Sequence, residues 1–179
     1  MSQFQLEAID PEDYRSKTRK SSFIIILIFA FLGMGCSTLL VAWLGTPGGN
    51  NFRWNLLGVL LGVLLTYLLV RYYLSQQPFM REAVYGWHLK RNLMRITNIM
   101  HRLKPLAASE HPRALQVLRF YHLAVEQMHR LDGNEANTLE IKAEKKATEE
   151  KMQALGLDLN QETLDSDWLK ELSDHQASE

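Results

Sequence analysis

Between Phe23 and Leu44 the chain carries no charged side chain. In helical form those 22 residues rise about 33 Å, enough to cross a hydrocarbon core of about 30 Å. A second apolar run, Trp54 to Val70, extends to Leu74 if Arg71 snorkels and Tyr72 and Tyr73 sit at the membrane interface. Between the runs, Gly45-Thr46-Pro47-Gly48-Gly49-Asn50-Asn51-Phe52-Arg53 is rich in helix breakers and turn formers, so the chain is expected to reverse there. Trp43 and Trp54 flank this turn as aromatic anchors. The most constrained reading is a transmembrane helical hairpin over 23–74, with spans of about 23–44 and 54–74.

Basic residues set the expected orientation. Arg15, Lys17, Arg19 and Lys20 precede the first span, Arg53 alone stands in the loop, and Arg71, Arg81, Lys90 and Arg91 follow the second. That asymmetry puts both termini in the cytoplasm. Except for Arg53, these residues, together with Arg95, are the candidate contacts to anionic lipid headgroups, at about 1 kcal/mol per basic side chain near the surface. A basic helix directly after a span meets lipid before nucleic acid, so a bilayer with anionic headgroups is the expected partner and no nucleic acid is. The zero net charge hides a split, because residues 156–179 carry one base and seven acids.

Cys36 is the only cysteine, which excludes an intrachain disulfide and a cysteine metal cluster. It follows Leu32-Gly33-Met34-Gly35, a spacing that invites comparison with a lipoprotein cleavage site. Gly33 stands where such sites carry leucine and the apolar run continues to Leu44, so Cys36 reads as a small thiol inside a membrane helix.

Outside the spans the patterning is helical. Asp10-Pro11-Glu12-Asp13 is a helix start, with Asp10 as N-cap and Pro11 at the first helical position, in a cytoplasmic segment 1–22. Pro78 interrupts after Ser75-Gln76-Gln77 and opens a helix to about Leu103, apolar at Tyr85, Leu89, Leu93, Ile96, Met100 and Leu103. A second helix is predicted from Pro112 to Asp132-Gly133, with Leu118, Tyr121, Val125 and Met128 on its inner side. A third, Glu135 to Leu155, has Leu139, Ala143, Ala147 and Leu155 as its best stripe and Gly156 as cap. These helices form an expected cytoplasmic domain over 75–155. In the acidic tail, 156–179, Leu164, Trp168 and Leu172 recur every four residues, as either a docking anchor for the chain's own domain or a motif read by another protein. No alternation is long enough to predict a sheet. The expected fold class is all-α: a two-span hairpin, a bundle of about three helices and an acidic amphipathic tail.

Candidate chemistry is sparse. Gly58, Gly62 and Thr66 in one span, and Gly33 and Ser37 in the other, are spaced by four and form small-residue faces. Packing inside the hairpin is the favoured reading, with self-association or a second membrane protein as the alternative. Neither span has an ionisable residue at depth, which argues against a transporter or pump. His122, Glu126 and His129 lie near one helical face, but no fourth ligand accompanies them and no metal is expected. Gly-rich phosphate loops, nucleophile motifs and paired apolar carboxylates are all missing, so neither an enzyme nor a cofactor is expected.

The segments Ile9-Asp10-Pro11-Glu12-Asp13-Tyr14-Arg15, Asn51-Phe52-Arg53-Trp54-Asn55-Leu56-Leu57-Gly58-Val59 and Tyr85-Gly86-Trp87-His88-Leu89-Lys90 together resemble a family of small proteobacterial membrane proteins known as a domain of unknown function. Leu118-Arg119-Phe120-Tyr121 and Leu131-Asp132 fit the same pattern, and the tail after Leu159 is the least similar part. The resemblance implies a bacterial inner membrane and two spans, and brings no activity with it. The expected function is a noncatalytic inner-membrane interaction or scaffold protein that binds an unidentified protein partner or forms a homo-oligomer. The alternatives are an envelope sensor reading anionic lipid and a small oligomeric channel or transporter component.

Overall fold

The computed structural model describes residues 3–134 and 139–174. The fold is all-α, with seven helices and one minimal strand pair among the described residues. The chain divides into two compact units, one of residues 14–84 and one that combines residues 1–13 with 85–179.

In the unit of residues 14–84, helix α1 (Pro11–Leu44) dominates. The Asp10 carboxylate accepts the backbone N–H groups of Glu12 and Asp13, both at 2.9 Å, and caps donors that have no partner within the first turn. The helix expected to run from Pro11 toward the apolar segment is continuous with it. The turn to α2 (Phe52–Tyr72) closes around Asn51, whose side-chain oxygen accepts Thr46 N–H at 2.9 Å and whose amide donates to Thr46 O at 3.1 Å. After α2, a 3-10 turn at Leu74–Gln76 gives way to extended Gln77, as the residue before Pro78 requires, and a second 3-10 turn, Pro78–Met80, leads into α3 (Arg81–Asn98). Here Tyr14, Ser21, Leu74 and Met80 are buried, and the Ser21 hydroxyl donates to Phe79 O at 2.6 Å.

The other unit is built around α5 (Pro112–Asp132), which buries side chains on most of its circumference. One inner face was expected. The structure adds Ala114, Leu115, Val117, Phe120 and Leu131, because several partner elements pack around this helix. The expected first helix breaks at Ile99 into α3 and α4 (Met100–Ala108), and α4 contains Pro105, which cannot donate to a helical carbonyl. Of its expected apolar face, Tyr85, Leu89, Leu93, Ile96 and Leu103 are buried. Helix α6 (Leu139–Ala154) lies against α5, but Ala143, Ala147 and Leu155 of its expected stripe are exposed, and Thr148 and Met152 face inward instead. The Leu139 side chain and the expected start at Glu135 lie outside the described residues. Ion pairs accompany this burial: Lys145–Glu126 at 2.6 Å, Lys104–Glu144 at 2.6 Å and Arg119–Glu149 at 2.5 Å.

Three helix ends share one device. The N–H of Asn134 bonds His129 O at 2.8 Å, that of Leu157 bonds Met152 O at 2.9 Å, and that of His111 bonds Leu106 O at 3.0 Å, each reaching back five residues over a left-handed one. Glycine fills that position at Gly133 and Gly156, whereas Glu110 takes it after α4 with φ of 63°.

A sheet was not expected, yet β1 (Gln3–Gln5) pairs antiparallel with β2 (Thr163–Asp165), Phe4 opposite Leu164. The strands are too short for alternation to register. Tertiary packing holds them: the Phe4 ring stacks on Tyr85 at 5.7 Å and meets the edge of Phe120 at 6.3 Å. Helix α7 (Ser166–Asp174) follows β2 directly.

Candidate functional site

Helices α1 and α2 pack through the small residues. Gly33, Gly58, Gly62 and Thr66 are buried in surroundings of otherwise exposed apolar side chains. A Cβ placed on Gly62 would stand 2.5 Å from the Cα of Gly33, and one on Gly58 would fall closer still to the backbone of Ser37. The obstacle in both cases is main chain, which no rotamer change relieves. Ser37 donates to the Asn55 side-chain oxygen at 2.7 Å, and Thr66 returns its hydroxyl to Gly62 O at 2.8 Å, so these polar groups of the seam are satisfied. Around the seam the two helices turn Phe23, Ile26, Leu27, Phe31, Leu57, Leu60, Leu64 and many similar side chains outward. Both helices are long and apolar enough to cross a membrane, and little of either apolar window is buried within the protein.

The basic residues read as headgroup contacts have varied settings. Arg19, Lys20 and Arg81 are exposed and Arg15 is half-buried. Lys17 pairs with Glu82 at 2.9 Å. Burial opposes ionisation of Glu82, but the Lys17 hydrogen bond and charge hold its carboxyl below the usual range. The Arg71 guanidinium lies over the Tyr72 ring. In the helical unit Lys90 pairs with Asp132 at 3.0 Å, and Arg91 stacks over Trp87 at 4.9 Å. Arg95 is half-buried and donates to Ser166 Oγ at 3.1 Å, so it serves the tail.

That tail is folded onto the chain's own unit. Leu164 and Leu172 are buried and Trp168 is half-buried, and the inner position between them belongs to Leu169, which the four-residue spacing passed over. Arg102 donates to Ser173 O and Arg113 pairs with Glu171 at 2.7 Å. Three side chains, Arg119, Gln127 and Tyr85, organise this closure. Arg119 donates from Nε to Leu159 O at 2.8 Å while pairing with Glu149, thereby joining α5, α6 and the approach to β2. Gln127 and Tyr85 together bind the backbone of Glu7. A sign was available for Arg119, a charge inside the apolar run Val117-Leu118-Arg119-Phe120.

The histidine group does not converge. His122 is almost wholly buried with neither ring nitrogen hydrogen-bonded, and burial lowers its pKa to about 4 despite the opposing Glu144 carboxylate 3.9 Å away. Glu126 is engaged by Lys145, whose hydrogen bond lowers its pKa. Among the described residues no three His, Cys, Asp or Glu side chains are placed to hold a metal ion. An open groove lined by Leu6, Leu123, Gln127, Arg130 and Glu162 offers few free groups, since Gln127 is committed to Glu7 and the neighbouring Lys145 to Glu126.

Fold and site together define an all-α protein with two helices of membrane-crossing length and a helical unit closed by its own N-terminal strand and tail. The chain belongs to the family described as "Protein of unknown function (DUF3087)", whose model matches residues 4–169. The match runs through Leu164 and Trp168, so much of the segment after Leu159, read as least similar, is part of the family pattern. No curated protein and no solved structure matches the chain.

Proposed function

We propose that the chain is a noncatalytic scaffold of the bacterial inner membrane, anchored by α1 and α2 as a two-span hairpin and presenting its helical unit to the cytoplasm for interaction. The observation that carries the anchoring is the outward-facing apolar surface of two helices whose mutual contact is confined to a narrow glycine seam. In water such a surface would be strongly unfavourable; in lipid it is the required exterior. The β1–β2 pairing adds a topological argument. Residues 3–5 bond to residues 163–165, and this pairing supports a reading in which the segments before α1 and after α2 share one side and the bilayer is crossed an even number of times. The basic residues flanking the two helices favour the cytoplasm as that side.

The scaffold role rests on how the helical unit uses its polar groups. Arg119, Gln127, Tyr85, Arg102 and Arg113 are committed to internal joints that fasten the N-terminal strand and the tail. Such an inventory supports the reading of a surface held for interaction.

Single cysteines in a Cys36→Ala background test the topology. With a membrane-impermeant maleimide on intact cells, Asn50→Cys in the turn is expected to label from outside and Gln153→Cys only after permeabilisation. The reading fails if alkaline carbonate extracts the chain from membranes, or if both positions label from the same side. Crosslinking of the full chain in gentle detergent then tests the scaffold role, where a chain that stays monomeric and without partners would contradict it.

A further inference from the structure

Among the described residues, the helical unit leaves two large apolar side chains of one helix uncovered. Trp87 is 54% exposed and Met94 is 65% exposed, although both sit on α3, a helix whose opposite side is well buried. At 100° per residue, Trp87, Arg91, Met94 and Asn98 fall on one stripe, directly opposite Tyr85, Leu89, Leu93 and Ile96 of the core. Arg91 lies along this stripe with its guanidinium over the Trp87 ring, and among the described residues no carboxylate pairs with it. Lys90 flanks it, in an exposed pair with Asp132.

We infer that this stripe of α3 is a docking face for an anionic bilayer surface. The inference rests on the two-span reading above and adds to it a second point of lipid contact. Three properties of the stripe select lipid. An indole beside a guanidinium suits the headgroup layer, where an amphipathic ring and a cation are both accommodated. The flexible Met94 side chain can enter the acyl boundary without a shaped pocket. The charge of the stripe is positive, complementary to anionic headgroups. The tether is short as well: eight residues, 73–80, separate the end of α2 from the start of α3, and they include two 3-10 turns. A helix so close in sequence to a span meets the membrane surface before any diffusing partner.

The test uses the full chain with Cys36→Ala, reconstituted at one copy per nanodisc. An environment-sensitive fluorophore is placed at Met94→Cys, or at the exposed reference position Gln153→Cys on α6, and the discs contain a spin-labelled lipid as quencher. In discs containing phosphatidylglycerol the label at position 94 is expected to be quenched strongly and that at 153 weakly. Removing one basic group near the surface should weaken the docked population by about fivefold, so Arg91→Ala is expected to reduce the quenching at 94. Phosphatidylcholine discs should likewise give less quenching at that position. Equal quenching at 94 and 153 in the anionic discs overturns the proposal, as does quenching at 94 that ignores both lipid charge and Arg91. Shielding of position 94 from acrylamide that appears only with two copies per disc would make a second chain the occupant and also overturns it. Labelling of Asn50→Cys and Gln153→Cys with an impermeant maleimide in intact and permeabilised cells reports spanning separately: failure there removes the two-span reading, whereas spanning with an unquenched position 94 removes only the docking face.

Discussion

The side chain of Gln127 holds two partners at once: its oxygen accepts the Tyr85 hydroxyl at 2.6 Å, and its amide nitrogen donates to the carbonyl of Glu7, also at 2.6 Å. Tyr85 in turn accepts the N–H of Glu7 at 3.1 Å, so both backbone groups of one residue near the N-terminus are secured by side chains from α3 and α5. Removing one member leaves buried polar atoms unpaired, which costs more than the net worth of a hydrogen bond. Gln127→Ala is therefore expected to destabilise the helical unit by about 1–3 kcal/mol. It should also speed hydrogen exchange at Glu7 and Leu6 well before the amides of α5. Unchanged exchange in the N-terminal segment would show that the clamp is not what retains it.

The glycine seam makes a prediction of opposite character, set by space rather than by lost bonds. Gly62→Val would drive a branched side chain into the backbone at Gly33, and a cost of about 1–3 kcal/mol, typical of overpacking, is expected for the α1–α2 association. Gly35 is the control, because a Cβ there meets nothing within 4 Å. Disulfide trapping between cysteines placed at Ser37 and Asn55, in a chain lacking Cys36, should fall sharply with Gly62→Val and remain with Gly35→Ala.

His122 gives the helical unit a calculable response to acid. Its folded pKa of about 4 lies below the ordinary value of 6.5, so the unfolded chain binds the proton first as the pH falls. The stability that comes from keeping the ring neutral is complete above the unfolded value and declines from there toward the folded one. Between pH 7.5 and pH 5 the loss is expected to be about 2 kcal/mol. Glu144 and Glu149 favour the charged ring while Arg119 and Lys145 oppose it, and the depressed value shows that burial dominates. Urea titrations of the detergent-held chain at the two pH values should show this slope, and His122→Leu should flatten it. A slope of the same size in the variant would assign it to other groups.

Glu110 sits at φ of 63°, a region that costs an L-residue about 1 kcal/mol and a glycine almost nothing. Glu110→Gly is expected to stabilise the α4 end by up to about 1 kcal/mol, read as a higher midpoint in the same titration. A lower midpoint would mean that the Glu110 side chain contributes a compensating contact.

What could be read in the sequence followed the strength of the local signal. The Asp10 cap, the Gly133 stop and the apolar face from Tyr85 to Ile96 rest on chemistry within a turn or two of helix, and the structure repeats them. The α6 stripe failed because alanines offer little area to bury, so Met152 takes the inward place, and the groups that α6 meets, among them Lys104, Glu126 and Arg119, lie far away in sequence. The strand pair was out of reach for the same reason, since three-residue strands are fixed by Phe4 against Tyr85 and not by any pattern of their own. In the tail, the spacing of Leu164, Trp168 and Leu172 suggested one helical stripe, whereas Leu164 lies in a strand and Leu169 takes the inward place on α7.

The pairing of Gln3–Gln5 with Thr163–Asp165 has a consequence for the order of events in biosynthesis. The first strand is made before its mate and must wait while two long apolar helices and four more helices are synthesised. During that interval Phe4 has no strand beside it, and Leu164 is still unmade. The helical unit can therefore close only once Thr163–Asp165 have been made. A chain cut before Thr163 lacks the partner of its N-terminal strand, so Gln3–Gln5 keep an unpaired edge open to another strand.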